Sequence, residues 1–151
     1  MDNLQIKHLG PEDLPLFQKL IRVFHEVFDL NESEIPEEPY LENLLQKDSF
    51  VAFAALVDQE VAGGLTAYEL PEYYSASSEI FIYDIAILPA YQRKGAGKEL
   101  LEAIKEYARK KGITEVFVAA HEEDTHALDF YHSAGGHSEK AVHFDFPVKE
   151  K

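Results

Sequence analysis

The segment Gln92-Arg93-Lys94-Gly95-Ala96-Gly97-Lys98 carries the sharpest chemical signal in the chain. Two glycines in three residues let backbone amides approach a ligand closely, and Arg93, Lys94 and Lys98 add full positive charges. A helix starting here would add the partial positive charge of its free N–H groups, and the whole would seat a pyrophosphate. The spacing is not that of a triphosphatase phosphate loop, because GxxxxGK[ST] is absent, nor of GxGxxG, because only GAG is present. A plain glycine-rich helix start is the competing reading. The second signal is Asp84, the one charge within the apolar run IFIYDIAIL. An unpaired carboxylate is costly in such a strand, so Asp84 meets a cation, backbone amides or a bound amine, or else forms a salt bridge within the fold. Asp145, set between Phe144 and Phe146, invites the same argument.

Several elements must position these groups. LQIKHL alternates as a half-buried strand does, and GPEDLPLFQKLIRVFHEVF shows Leu16, Leu20, Val23, Phe24 and Val27 at helical spacing, with Pro11 and Pro15 in its first turn. DLNESEIPEEP reads as an acidic loop and Tyr40 to Lys47 as a short helix. FVAFAALV and VAGGLTAYEL form two strands split by Asp58-Gln59-Glu60, a break suited to a hairpin, with Gly63-Gly64 marking a bulge. EIFIYDIAIL is the longest strand, buried within a sheet and ended by Pro89. KELLEAIKEYARKKG is an amphipathic helix stopped by Gly112, EVFVAA a strand, and Thr125 to Ser133 a short helix broken by Gly135-Gly136. AVHFDFPV reads as a last alternating strand. The order predicts an α/β sandwich around one sheet, with a strand, helix, strand crossover at its centre, in one domain over residues 1–151.

Fourteen basic against 28 acidic residues disfavour nucleic acid as a partner, because phosphate neutralisation needs an excess of Lys and Arg. The charges are also sorted. Residues 92–111 hold seven of the 14 basic residues, whereas residues 26–48 hold eight acids and only Lys47. One place can hold an anion and another a cation. Without Cys there are no disulfides, thiolate metal sites or Cys acyl-enzyme. No stretch is apolar enough to span a membrane and the N-terminus does not read as a signal peptide, so the cytoplasm is expected. Histidines at 121, 126, 132, 137 and 143 raise a metal site, but His121-Glu122 is followed by Thr125 where HExxH needs His, and no metal is expected. The serines lack a nucleophile elbow.

In Gln92, Gly95 and Gly97 the chain resembles the GNAT superfamily of N-acetyltransferases, whose pattern is Q/R-x-x-G-x-G/A. The resemblance implies a mixed central sheet of six to seven strands flanked by about four helices, with acetyl-CoA as co-substrate. It implies that the loop from Gln92 through Arg93, Lys94, Gly95, Ala96 and Gly97 to Lys98 binds the CoA pyrophosphate. It further implies that the preceding strand splays from its neighbour, so that the backbone of Ile85, Ala86 and Ile87 pairs with pantetheine and serves as the oxyanion site. Ala127-Leu128-Asp129-Phe130-Tyr131 matches a second family feature, which places Asp129 beside the cofactor and makes Tyr131 the acid that protonates the leaving thiolate. Asp124 and Gly136 depart from the family's usual Asn and Phe.

From about Tyr40 to Phe146, through YLENLL, FVAFAALV, SEIFIYDIAI and HFDF, the chain is similar to the gentamicin-type aminoglycoside 3-N-acetyltransferases. That resemblance implies a cationic small-molecule amine as acceptor, with Glu79 or Asp84 drawing off the proton that an ammonium must lose before it attacks. Tyr83, Glu122, Glu123, His143, Asp145 and the acidic 26–48 segment are expected around the sugar amines, where they would also concentrate a polycation. Homodimers are common in this fold, and one is expected here. A polyamine or peptide acceptor, and a CoA-binding sensor without turnover, are the alternatives.

Overall fold

The computed structural model describes residues 3–30 and 34–149. Two compact units divide the chain, Met1–Ala119 and Ala120–Lys151. The first contains five strands in the order β1-β2-β3-β4-β5. They are β1 (Leu4–His8), β2 (Phe50–Val57), β3 (Glu60–Pro71), β4 (Ser78–Ile87) and β5 (Val116–Val118). The first four pair antiparallel and β4 pairs with β5 in parallel, which requires the crossover through α3 (Ala96–Lys110). Two further helices, α1 (Leu14–Val27) and α2 (Glu38–Gln46), lie between β1 and β2 in the chain.

The apolar run of β2 explains the layering. All eight of its residues are buried, and they alternate between two cores. Phe50, Ala52, Ala54 and Leu56 pack with Phe17, Leu20, Val23 and Phe24 of α1 and Leu41 and Leu45 of α2. Val51, Phe53 and Ala55 pack with Leu100, Ile104 and Ala108 of α3. Helices therefore cover both faces of the sheet. Each fully buried Leu or Ile contributes about 1.5–3 kcal/mol relative to exposure. The β2–β3 connection is two residues long, and Asp58 and Gln59 have φ of 50° and 72°, the left-handed geometry that matches strand twist in a tight hairpin. Gly64 answers a different demand. A Cβ there would collide with the Phe53 carbonyl oxygen and the Leu20 side chain, so the absent side chain is what lets α1 close on the sheet.

The second unit holds α4 (Thr125–Ser133), whose N-cap Asp124 accepts a hydrogen bond from the Ala127 amide at 3.1 Å. Asp124, where the family resemblance leads one to expect Asn, thus caps the helix.

Three expectations need correction. The sheet has five strands among the described residues, in place of six to seven. Residues 141–148, AVHFDFPV, form no strand, and Val142, Phe144, Phe146 and Val148 are exposed. Their alternation is a side-chain pattern, and a strand also needs a ladder partner, which this segment lacks among the described residues. The bulge between β2 and β3 falls on Ala62, since Ala55 faces Gly63 while Leu56 faces Val61. No helix among the described residues is long and apolar enough to cross a membrane.

Candidate active site

The site begins where β4 outruns β5. Pairing between them covers Ile80, Phe81 and Ile82 opposite Val116, Phe117 and Val118, and then stops, while β4 continues to Ile87. No described strand pairs with that edge of residues 83–87, so the backbone groups of Ile85 are open to a ligand laid along it, whereas those of Ala86, one residue on and turned the other way, face β3 beside Gly63. The Ile87 carbonyl is taken by the Gln92 side-chain amide, which donates to it at 2.9 Å. Gln92 thereby ties the following loop to the end of the strand, and the Leu88 amide bonds the Ala62 carbonyl at 2.8 Å to hold that end on β3.

Beyond the short turn Pro89–Tyr91, the loop enters α3 through two left-handed residues, Arg93 at φ 63° and the N-cap Gly95 at φ 90°. Gly95 supplies no side-chain cap, and a Cβ there would touch nothing within 4 Å. The requirement is thus conformational, with open space in front of the helix. The first α3 amides have no carbonyl one turn earlier to bond, so they are donors awaiting an acceptor. Arg93, Lys94 and Lys98 are exposed and none is in an ion pair among the described residues. A helix start with free donors and three uncompensated cations fits a pyrophosphate.

A second bulge aims the carboxylate. Thr66 pairs with Asp84 and Ala67 with Ile82, so Tyr83 is the extra residue. The bulge inverts the alternation of β4: Ile80 and Ile82 face the α3 core before it, Ile85 and Ile87 face that core after it, and Ala86 joins the α1–α2 core. Tyr83 and Asp84 therefore both lie on the α1–α2 side. Asp84 is half-buried, with no hydrogen bond or ion pair among the described residues, and burial pushes its carboxyl above the usual carboxylate range. Neither the internal salt bridge nor backbone amides account for it.

The other residues of interest fall in different places. Glu79 lies on β4 opposite Leu70, five residues before Asp84 and hence about 16 Å along the strand. It faces the electrostatic neighbourhood of Tyr74, so these two carboxylates do not converge. Tyr83 is 61% exposed and its ring meets Tyr68 edge-on at 5.7 Å. Tyr68 of β3, which was not singled out in the sequence, meets the Tyr83 ring and lies within electrostatic reach of Asp84 and of Tyr40 on α2. The acidic segment is exposed at Glu26, Asp29, Glu34, Glu37, Glu38, Glu42 and Asp48, while Glu32 lies outside the described residues.

In the second unit, Tyr131 stacks obliquely on Phe130 at 5.3 Å, Asp129 is exposed on the same helix, and Glu122 meets Lys140 at 3.4 Å. Glu123 is exposed. His143 and Asp145 form a hydrogen-bonded pair at 2.9 Å, both exposed, so the Asp145 carboxylate has a partner on its own segment.

Residues 17–135 match the model of the acetyltransferase (GNAT) family. An aminoglycoside acetyltransferase from an uncultured soil metagenomic sample, solved in complex with sisomicin, is 40% identical over 98% of both chains, with a TM-score of 0.95. A structure of that enzyme with trehalose gives 41% identity over the same shares, again at 0.95. An aminoglycoside N(6′)-acetyltransferase type 1 of Salmonella typhimurium is 25% identical over 72% of this chain and 79% of its own.

Proposed function

The chain belongs to the acetyltransferase (GNAT) family, and on that premise we propose that it is an aminoglycoside N-acetyltransferase that moves an acetyl group directly from acetyl-CoA to an amine. The observation that carries the reading is the junction of the open β4 edge, an unpartnered Asp84 and the basic start of α3. The acceptor class is supported by the 40% identity to the enzyme solved with sisomicin.

Bound acetyl-CoA would supply the acyl thioester. The α3 amides, Gly95, Arg93, Lys94 and Lys98 would hold its diphosphate, and the free edge at Ile85 would align its pantetheine arm. Amide N–H groups on that edge would donate toward the negative charge that grows on the acyl oxygen. Asp84 removes a proton from the acceptor ammonium, directly or through one water, and the freed nitrogen bonds to the acyl carbon as the carbon–sulfur bond breaks. A raised carboxyl affinity for protons suits this role, since it narrows the gap to the ammonium. The family motif assigns Tyr131 as the acid that returns a proton to the thiolate and Asp129 to the cofactor. Glu79, Tyr83, Asp84, His143 and Asp145 carry the substrate-level resemblance, and Glu122 and Glu123 would join Asp145 around the sugar amines. That resemblance is to 3-N-acetyltransferases, whereas the Salmonella relative is named for the 6′-amine. The fold's habit of pairing supports a homodimer, to be read by light scattering.

The test is release of free CoA thiol from acetyl-CoA with gentamicin or sisomicin, beside spermine and a Lys-containing peptide. Selective turnover of the amino sugars is expected. Turnover of only spermine or peptide would overturn the acceptor, and CoA binding without any turnover would leave a sensor.

A further inference from the structure

Two half-buried polar groups on the α1–α2 face of the sheet lack partners, and both want the same one. The Asp84 carboxylate meets no cation among the described residues. The Tyr68 hydroxyl, two residues along β3 from Thr66, has no hydrogen bond there either, though its ring is fixed between Phe50 at 5.4 Å and Tyr83 at 5.7 Å. Both ring contacts are edge-on, so Tyr68 is held without being covered. Tyr83, the bulged residue, is braced by Phe81 at 6.0 Å yet leaves 61% of its surface to solvent. Burial is the main cause that raises the Tyr68 phenol above its usual range, and Tyr83, Tyr40 and Asp84 add to it, with no positive charge among the contributors.

A carboxylate and a phenol oxygen that both lack a donor, beside an exposed aromatic face, form the complement of a protonated amine on a ring. We propose that Tyr68 is a specificity-determining residue of the acceptor site: its hydroxyl and Asp84 hold one ammonium of a polyamino sugar, while the Tyr83 ring carries the sugar's apolar C–H face. The proposal rests on the acceptor class put forward above. It adds Tyr68, which sequence reasoning passed over, and gives Tyr83 a stacking role. Tyr40, 63% exposed on α2, lies within electrostatic reach of Tyr68. A linear polyamine could use the Asp84 and Tyr68 oxygens but would gain little from the ring platform.

The experiment measures acceptor binding by calorimetry in the presence of CoA, with sisomicin and spermine as probes, alongside steady-state kinetics. Tyr68→Phe keeps the ring and removes the hydroxyl, and should weaken sisomicin about ten-fold, as expected for a hydrogen bond to a charged group. Tyr83→Ala should weaken sisomicin by a similar factor while changing spermine less than two-fold, and Tyr83→Phe should restore most of the loss. The KM for acetyl-CoA should not move in any of them, whereas a general structural defect would raise both KM values and lower Tm. Wild-type affinity for sisomicin in Tyr68→Phe, or equal losses for sisomicin and spermine in Tyr83→Ala, would overturn the inference. Sisomicin bound as predicted but never acetylated would leave this inference standing and refute the proposed reaction.

Discussion

Asp84→Asn should make this protein more stable and nearly inactive at once. The substitution keeps the side chain's shape and removes only its charge. Asp84 sits opposite Thr66 on the inward side of a bulge, with no cation or hydrogen-bond donor among the described residues, so the folded chain bears a desolvation penalty that nothing repays. An unsatisfied buried polar group costs about 1–3 kcal/mol, and because this carboxylate is only half-buried the lower end applies. A gain of about 1 kcal/mol corresponds to roughly 2–4 °C in Tm for a chain of this size. The sign follows from linkage. The folded-state pKa lies above the unfolded value of about 3.9, so the folded protein is favoured by protonation and loses that advantage as pH rises through the folded pKa. The stabilisation by Asn is therefore fully present at pH 7 and should shrink as the pH is lowered toward that range. Loss of the group that draws off the ammonium proton costs about 10²–10⁴ in rate, or roughly 2.7–5.4 kcal/mol of barrier. The assay pairs thermal unfolding at several pH values with kcat/KM for sisomicin. An Asn variant that is less stable at pH 7, or that keeps more than a tenth of the activity, would refute the reasoning.

Further perturbations test the fold and the cofactor seat. Gly64→Ala places a methyl against the Phe53 carbonyl and Leu20, and should cost about 1–3 kcal/mol in urea unfolding without changing the slope. His8, stacked on Phe53 at 4.8 Å and edge-on to Tyr107 at 5.3 Å, has its pKa lowered chiefly by burial, with Lys7 contributing and Asp13 opposing. Its contribution is thus full above the unfolded pKa of about 6.5 and declines as pH falls below it, so His8→Phe should flatten the loss of Tm between pH 7 and 5. Arg93→Ala with Lys98→Ala should raise the KM for acetyl-CoA about ten-fold while leaving sisomicin binding within two-fold, because both charges stand at the α3 start. In the wild type, added salt should raise the KM of both substrates, with the acidic 26–48 segment acting on the acceptor. An acceptor KM that ignores ionic strength would remove that segment from the account.

Much of this was legible because periodicity and glycine placement report local physics. The helices at 14–27 and 96–110, the short one at 125–133, the hairpin at Asp58-Gln59 and the glycine-containing entry to α3 all follow from neighbours in sequence. Asp84 was legible as well, since a charge inside an apolar strand needs a reason whatever the register. What escaped depends on which residues face each other across strands. The bulge at Tyr83 inverts the faces of β4, and no one-dimensional pattern shows that Tyr83 and Asp84 share a side. Tyr68 escaped for the same reason, as it reads like any aromatic in a strand until its position beside Tyr83 is known. AVHFDFPV shows the converse: its alternation is clear, but alternation cannot supply a pairing partner. Glu79 and Asp84 looked interchangeable as bases until the strand set them about 16 Å apart.

The most direct test of the central claim is a single incubation of the protein with acetyl-CoA and sisomicin, following free CoA thiol and the mass of the antibiotic together. The account predicts one acetyl group added per thiol released, on one amine, with the rate in Asp84→Asn lower by about 10²-fold or more. Thiol release without an acetylated sugar, or no reaction with the amino sugar beside clear turnover of spermine, would contradict it.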